Sequence, residues 1–122
     1  MDINLNVKLY LEDEHEKFMG IGVLWLLQAI DRNHSLRAAA AEMGISYSKA
    51  YTMIQRLEEA LDQKILDRKK GGQDRAGAVL TPFAKELIVL YDGFQKSCKG
   101  LLDKPFNKFQ KNLNKLIART NR

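Results

Sequence analysis

The sequence predicts a mainly α-helical protein with a small β component, and three observations carry that prediction. First, residues 35–66, SLRAAAAEMGISYSKAYTMIQRLEEALDQKIL, hold two apolar stripes at helical spacing, separated by one glycine. Leu36, Ala39, Ala40 and Met43 form one stripe; Ala50, Met53, Ile54, Leu57 and Leu61 form the other. Second, the runs at 64–68 and 78–81 flank KKGGQDRAG, the composition of two short strands around a glycine-rich tip. Third, two more stripes follow Thr81. Leu87, Tyr91, Phe94, Cys98 and Leu101 are spaced four, three, four, three; Phe106, Phe109, Leu113 and Leu116 are spaced three, four, three.

The elements can be justified in chain order. Ile3, Leu5, Val7, Leu9 and Leu11 alternate with Asn4, Asn6, Lys8 and Tyr10, which predicts a half-buried strand. The acidic tract 12–17 then turns, and Phe18-Met19-Gly20 returns as a short second strand, with Gly20 and Gly22 marking a tight join. Residues 22–32 read as a first helix with Val23, Leu26, Leu27 and Ile30 inward and Trp25 on its flank. Ser35 is placed to N-cap the next helix, and Gly44 ends it, because glycine takes the left-handed conformation without steric cost. Ala40, four residues earlier, is small enough to let the third helix, beginning at Ile45-Ser46, come close. Thr81-Pro82 opens a fourth helix with a capping hydroxyl and a proline at the first helical position; it runs to about Leu102. Pro105 breaks or kinks the path into a last helix.

Composition limits the function classes. With 122 residues, 45% of them hydrophobic, the chain can build one core and is too apolar for a disordered class. The longest apolar run, 21–27, is far shorter than the roughly 20 residues of a membrane span, so no membrane partner is expected. Asp2 and the lack of a basic leader argue against a signal peptide, and a single cysteine, Cys98, fits a reducing cytosol. The net charge of +5 is unevenly spread. Residues 1–17 hold five acids against two lysines, residues 64–75 five basic residues against two acids, and residues 96–122 eight basic residues against Asp103. A polyanion is attracted to the last two regions and repelled by the first.

With the stripe of the third helix turned inward, Ser46, Tyr47, Ser48, Lys49, Tyr51, Thr52, Gln55 and Arg56 face outward. Two helices joined by a tight turn, the second with a polar, hydroxyl-rich and basic outer face, are the layout of a DNA-reading helix-turn-helix. The hairpin after them makes it a winged helix-turn-helix, preceded by a strand or hairpin and followed by C-terminal dimerisation helices. Ser46, Tyr47, Ser48 and Lys49 occupy the first turn, where free amides favour phosphate. Ser46 could equally serve only as an N-cap, and Tyr47 could pack its ring on the wing. Thr52 and Gln55 lie one and two turns on, where an amide can pair with adenine. Arg56 either reaches phosphate or pairs with an acid. Ser35 and Arg37 stand at the start of the preceding helix, within reach of the DNA backbone, and Arg68, Lys69, Lys70, Gln73 and Arg75 would follow the minor groove or its phosphates.

The partner expected is double-stranded DNA. The alternative is a winged-helix protein–protein interaction module whose basic tail docks an acidic partner. That module would show large apolar residues on the outer face of residues 46–60, where this chain has Ser, Lys, Tyr, Thr, Gln and Arg. Catalysis has no constellation to support it. His15 and His34 have no second ligand at metal spacing, Cys98 lies on an apolar stripe, and Gly71-Gly72 lacks the Lys-Ser/Thr of a phosphate-binding loop. Neither an enzyme nor a metal site is expected. Leu87, Tyr91, Phe94 and Leu101 form one dimerisation seam and Phe106, Phe109, Leu113 and Leu116 a second, which little remaining chain can cover. A homodimer is therefore expected, with a DNA-binding domain over 1–81 and a helical dimerisation region over 82–122 packed on it.

The segment ISYSKAYTMIQRLEEALDQKILDR resembles the recognition helix and following wing strand of LysR-type bacterial regulators. A longer stretch, residues 9–91, is similar to the N-terminal domain of the molybdate-responsive ModE regulators. The matching signs are LYLE (9–12), F-x-G-x-G (18–22), LLQAID (26–31), SLRAAAAEMGISY (35–47), GG followed by GAVLT (71–81), and LIVLYDGF (87–94). The resemblance implies a winged-helix transcription regulator, dimeric through helices outside the reading head, on a pseudo-palindromic operator in the cytoplasm at the nucleoid. It differs in a wing that reads GGQDRAGA rather than a longer glycine run, with Arg75 an addition, and in Tyr51 where many members carry tryptophan. No segment matches the molybdate-binding C-terminal domains, so no cofactor is expected and any sensing would fall to a separate protein.

Overall fold

The chain folds, in a computed structural model that describes residues 2–67 and 77–122, as a series of short β-hairpins and five helices. In order these are β1 (Leu11–Glu12), β2 (Lys17–Met19), α1 (Ile21–Asn33), α2 (Leu36–Met43), α3 (Tyr47–Leu61), β3 (Leu66–Asp67), β4 (Val79–Leu80), α4 (Pro82–Gly100) and α5 (Asp103–Thr120). Two compact units emerge, one of residues 8–92 and one of residues 2–7 with 93–122. The first, the head, holds the two-helix unit and the wing base. It takes in the first half of α4, past the Thr81 boundary drawn from sequence, because Ala84 and Tyr91 are part of its core.

The long N-terminal strand does not form. Ile3, Val7, Leu9 and Leu11 are half-buried, as the alternation predicts, but Leu5 is exposed and residues 2–10 adopt no regular secondary structure. A strand needs a ladder partner, and β2 supplies only three residues, pairing Leu11 with Met19 and Glu12 with Lys17 across a bulge. Asp13 organises the turn between them: its Oδ1 accepts from the amides of His15 (2.9 Å) and Glu16 (3.2 Å). Gly20 is required by close approach rather than by its backbone angle, since a Cβ there would sit 2.8 Å from the Tyr10 ring.

α1 buries Leu24, Leu26, Leu27, Ala29 and Ile30 and leaves Trp25 exposed. Ser35 caps α2 as expected, its Oγ accepting from Ala38 N at 3.0 Å. Gly44 ends α2 at φ +69°, and Ile45 N closes the turn on Ala40 O at 3.0 Å. Ala39, Ala40 and Ala50 are each at most 2% exposed, so small side chains do let α2 and α3 approach. α3 buries Ala50, Ile54 and Leu57, with Met53 and Leu61 half-buried beside them.

The base of the wing is the antiparallel pair β3–β4, with Leu66 opposite Leu80 and Asp67 opposite Val79. Among the described residues it is tied to the helix-turn-helix at three points. Gly77 bridges to Ser35, Ala78 N donates to His34 O (3.0 Å), and Ile65 N donates to the Glu58 carboxylate (2.8 Å). Thr81 caps α4, its hydroxyl accepting from Ala84 N (3.2 Å) while donating to Lys64 O (2.7 Å).

In the second unit, α4 ends at Gly100 and α5 starts at Asp103. Pro105 therefore stands in the first turn of α5, where its missing N–H leaves no intrahelical bond unmade, and the break falls at residues 101–102. The α5 face that is half-buried consists of Phe106, Gln110, Leu113 and Ile117; the Gln110 amide donates to Ile3 O at 3.2 Å.

Candidate nucleic-acid interface

The first turn of α3 is a preformed polar surface. Ser46 precedes it in extended conformation, and its Oγ accepts from Lys49 N at 3.0 Å. The hydroxyl is thus an N-cap whose own hydrogen is still available to a phosphate or base. Ser46, Ser48, Lys49, Thr52 and Gln55 are all exposed, along one side of the helix. Thr52 donates its hydroxyl hydrogen to Ser48 O at 3.0 Å, so toward a base edge it can only accept, or offer its methyl. Gln55 makes no hydrogen bond among the described residues and keeps both its amide and its carbonyl free. A groove of about 830 Å³ runs beside this turn, lined by Lys17, Phe18, Trp25, Lys49 and Thr52.

Tyr47 and Arg37 are brought together. The Arg37 guanidinium lies 4.5 Å from the centroid of the Tyr47 ring, and Tyr47 is half-buried on the core, with its ring 6.3 Å from that of Tyr51. Tyr47 thus packs on the core beside Arg37 of α2, and it fixes a cation beside the first turn of α3. Ser35 and Arg37 are half-buried and exposed, respectively.

Arg56 departs from the interface. Its Nη2 donates to Asp13 Oδ1 at 2.5 Å and to Glu16 O at 2.8 Å, and its buried Nε lies 2.9 Å from Glu16 Oε1 without hydrogen-bond alignment. With a side chain 14% exposed, it holds the β1–β2 turn against α3. The Arg56 hydrogen bond keeps the Asp13 carboxyl well below the usual carboxylate range, and Asp13 raises Arg56 in turn. Of the two readings open in the sequence, pairing with an acid holds. The acids were invisible to helix-face reasoning because they lie 43 and 40 residues away in the chain. Arg68, Lys69, Lys70, Gln73 and Arg75, assigned to the wing, lie outside the described residues.

The α4 seam also shifts. Tyr91 is 3% exposed in the head core, where its hydroxyl donates to Leu9 O at 2.9 Å, so it is no dimer contact. The more open face carries Leu90 (73% exposed) and Phe94, with Phe83 and Leu87 half-buried against the core at one end and Leu101 (78% exposed) just past the last turn. Its four-three spacing matches the predicted seam, and only burial separates Leu90 from Tyr91. The second seam divides: Phe106 and Leu113 turn to the half-buried side of α5, while Phe109 and Leu116 are exposed.

Among the described residues no three His, Cys, Asp or Glu side chains converge on a metal position, and no helix is long and apolar enough to cross a membrane.

Residues 22–85, slightly more than half the chain, match the family model described as bacterial regulatory helix-turn-helix protein, lysR family. The chain belongs to this family. The match begins in α1 and ends in α4, enclosing α2, α3 and the wing, so the lysR-family segment and the polar helix face coincide. The head is a module of a DNA-binding regulator family. Among curated proteins, the molybdenum-pterin-binding protein MopB of Rhodobacter capsulatus is 36% identical over 96 residues, covering 79% of this chain and 34% of its own length. The DNA-binding transcriptional dual regulator ModE of Escherichia coli (strain K12) is 36% identical over 67 residues, covering 55% of this chain and 26% of its own. The chain thus spans about a quarter to a third of the relatives it matches. A solved structure described as a CbnR_DBD–DNA complex aligns with a TM-score of 0.56 at 20% identity, over 70% of this chain and 93% of that one, and supports the winged helix-turn-helix fold.

Proposed function

We propose that the head reads a pseudo-palindromic operator in double-stranded DNA through the first two turns of α3, as one half of a homodimer, in the bacterial cytoplasm. The observation that carries this reading is the capped, exposed first turn, in which Ser46, Ser48, Lys49, Thr52 and Gln55 share one face while the apolar stripe is spent on the core. Ser35 and Arg37 flank it on the backbone side. The name of the Escherichia coli relative joins DNA binding to transcriptional regulation, and that part of its activity fits this head. The exposed α4 face suits a second copy, which would set two recognition helices about one DNA turn apart, roughly 34 Å.

Selecting fragments bound by the intact protein from a random DNA pool tests the reading directly. An inverted repeat with half-sites one turn apart is expected. In that site Gln55→Ala should cost about 1–3 kcal/mol and relax preference at one base position. A pool that enriches no sequence, or a Gln55→Ala protein with unchanged affinity and preference, defeats the assignment of α3.

A further inference from the structure

The basic residues of α5 recur at Lys104, Lys108, Lys111, Lys115 and Arg119, a spacing of four, three, four and four. At about 100° per residue they fall within roughly 80° of arc, and at 1.5 Å per residue they extend about 22 Å. All five are exposed, and among the described residues none makes an ion pair. The half-buried face of Phe106, Gln110, Leu113 and Ile117 is centred on the opposite side of the helix, so the packing that seats α5 also turns the cations outward. The single acid of α5, Asp103, stands in its first turn, away from most of the ridge. Like charges three and four residues apart oppose a helix, and a polyanion relieves that repulsion.

We propose that this ridge is a second duplex-DNA surface, holding backbone phosphates without reading bases. Each strand of a duplex presents a phosphate about every 3.4 Å of axis, so 22 Å of ridge spans roughly six. The inference rests on the reading of the chain as a DNA-binding regulator. An anionic membrane is the weaker partner: a helix lying on a bilayer must insert its apolar face, and in α5 Phe106, Leu113 and Ile117 of that face are half-buried, leaving Phe109 and Leu116 to insert.

The test compares the intact protein with the fourfold variant K104Q/K108Q/K111Q/K115Q on a 60-base-pair duplex of mixed sequence across a salt series. Glutamine keeps the helix propensity of lysine, and circular dichroism checks the fold. The log–log salt slope is expected to fall by between about 1.8 and 3.6 per protomer, at roughly 0.9 for each phosphate that the protein no longer neutralises. The double variant K108Q/K115Q should lose about half as much and decides the matter if the fourfold variant does not fold. A fall below about 1.8, or below about 0.9 for the double variant, overturns the ridge while leaving α3 its role. An intact protein that binds no duplex overturns the DNA reading itself. Loss of attachment to phosphatidylserine vesicles with an unchanged DNA slope also overturns the proposal, in favour of a membrane.

Discussion

Tyr91 separates two accounts of α4, because sequence spacing puts it on a dimer seam and the structure puts it in the core. Its ring is 3% exposed, and its hydroxyl donates to Leu9 O at 2.9 Å, joining α4 to the segment that leads into β1. Burial, with Tyr10 nearby, pushes the phenol above its ordinary pKa, so it remains a donor throughout the neutral range. Tyr91→Phe keeps the ring and removes that donor. The loss should be about 1 kcal/mol, the net value of one such bond, rising toward 2 if the half-buried Leu9 carbonyl finds no water. For a unit the size of residues 8–92, each kcal/mol lowers Tm by roughly 4–8 °C. Thermal melts at matched protein concentration measure that shift, since a dimer's Tm moves with concentration, and sedimentation gives the association constant. The expected result is a lower Tm with association unchanged. A Tyr91→Phe protein that melts like the parent but dissociates more readily would refute the core assignment.

Three further outcomes follow from the same geometry. Leu90→Lys, on the open face of α4, should weaken self-association while leaving Tm at fixed oligomeric state within a few degrees; a monomeric parent at micromolar concentration removes the seam. Ser46→Ala should cost about 1 kcal/mol in urea unfolding through loss of the cap, whereas Ser46→Asp should preserve stability and weaken DNA binding by placing a carboxylate at the first turn. Equal DNA affinity in Ser46→Asp would place the helix end away from phosphate. Asp13→Asn should destabilise the head at neutral pH but not at strongly acidic pH. The depressed carboxyl contributes stability above its ordinary value of 3.8 and loses it as the pH falls toward the lower folded value, so the stability difference from the parent should be flat from about pH 7 to 5 and shrink below about 4. A difference that widened on acidification would contradict the Arg56 clasp.

What could be read from the sequence is what depends on neighbours within a few residues. Ser35, Gly44, Ser46 and Thr81 were placed correctly because a cap or a left-handed residue is a local requirement, and the α2–α3 crossing was legible because Ala39, Ala40 and Ala50 mark it in sequence. The failures share one cause. Residues 2–10 alternate as a strand should, but alternation cannot report whether a partner is there to complete the ladder. Arg56 is left open between phosphate and an acid by its sequence, because helix geometry shows which way a residue faces, not that the turn holding Asp13 and Glu16 will arrive there. On α4, Leu90 and Tyr91 both fit a four-three seam, and the Leu9 carbonyl, 82 residues away in the chain, decides between them. These long-range contacts also define the division of labour. Arg56 and Tyr91 are spent on holding the hairpin and α4 in place, and the side chains left exposed on the proposed DNA face are the short polar ones at the start of α3. A small head that must present a rigid helix commits its larger amphipathic side chains to bracing it, so on the proposed reading base preference is expected to rest on Ser48, Thr52 and Gln55.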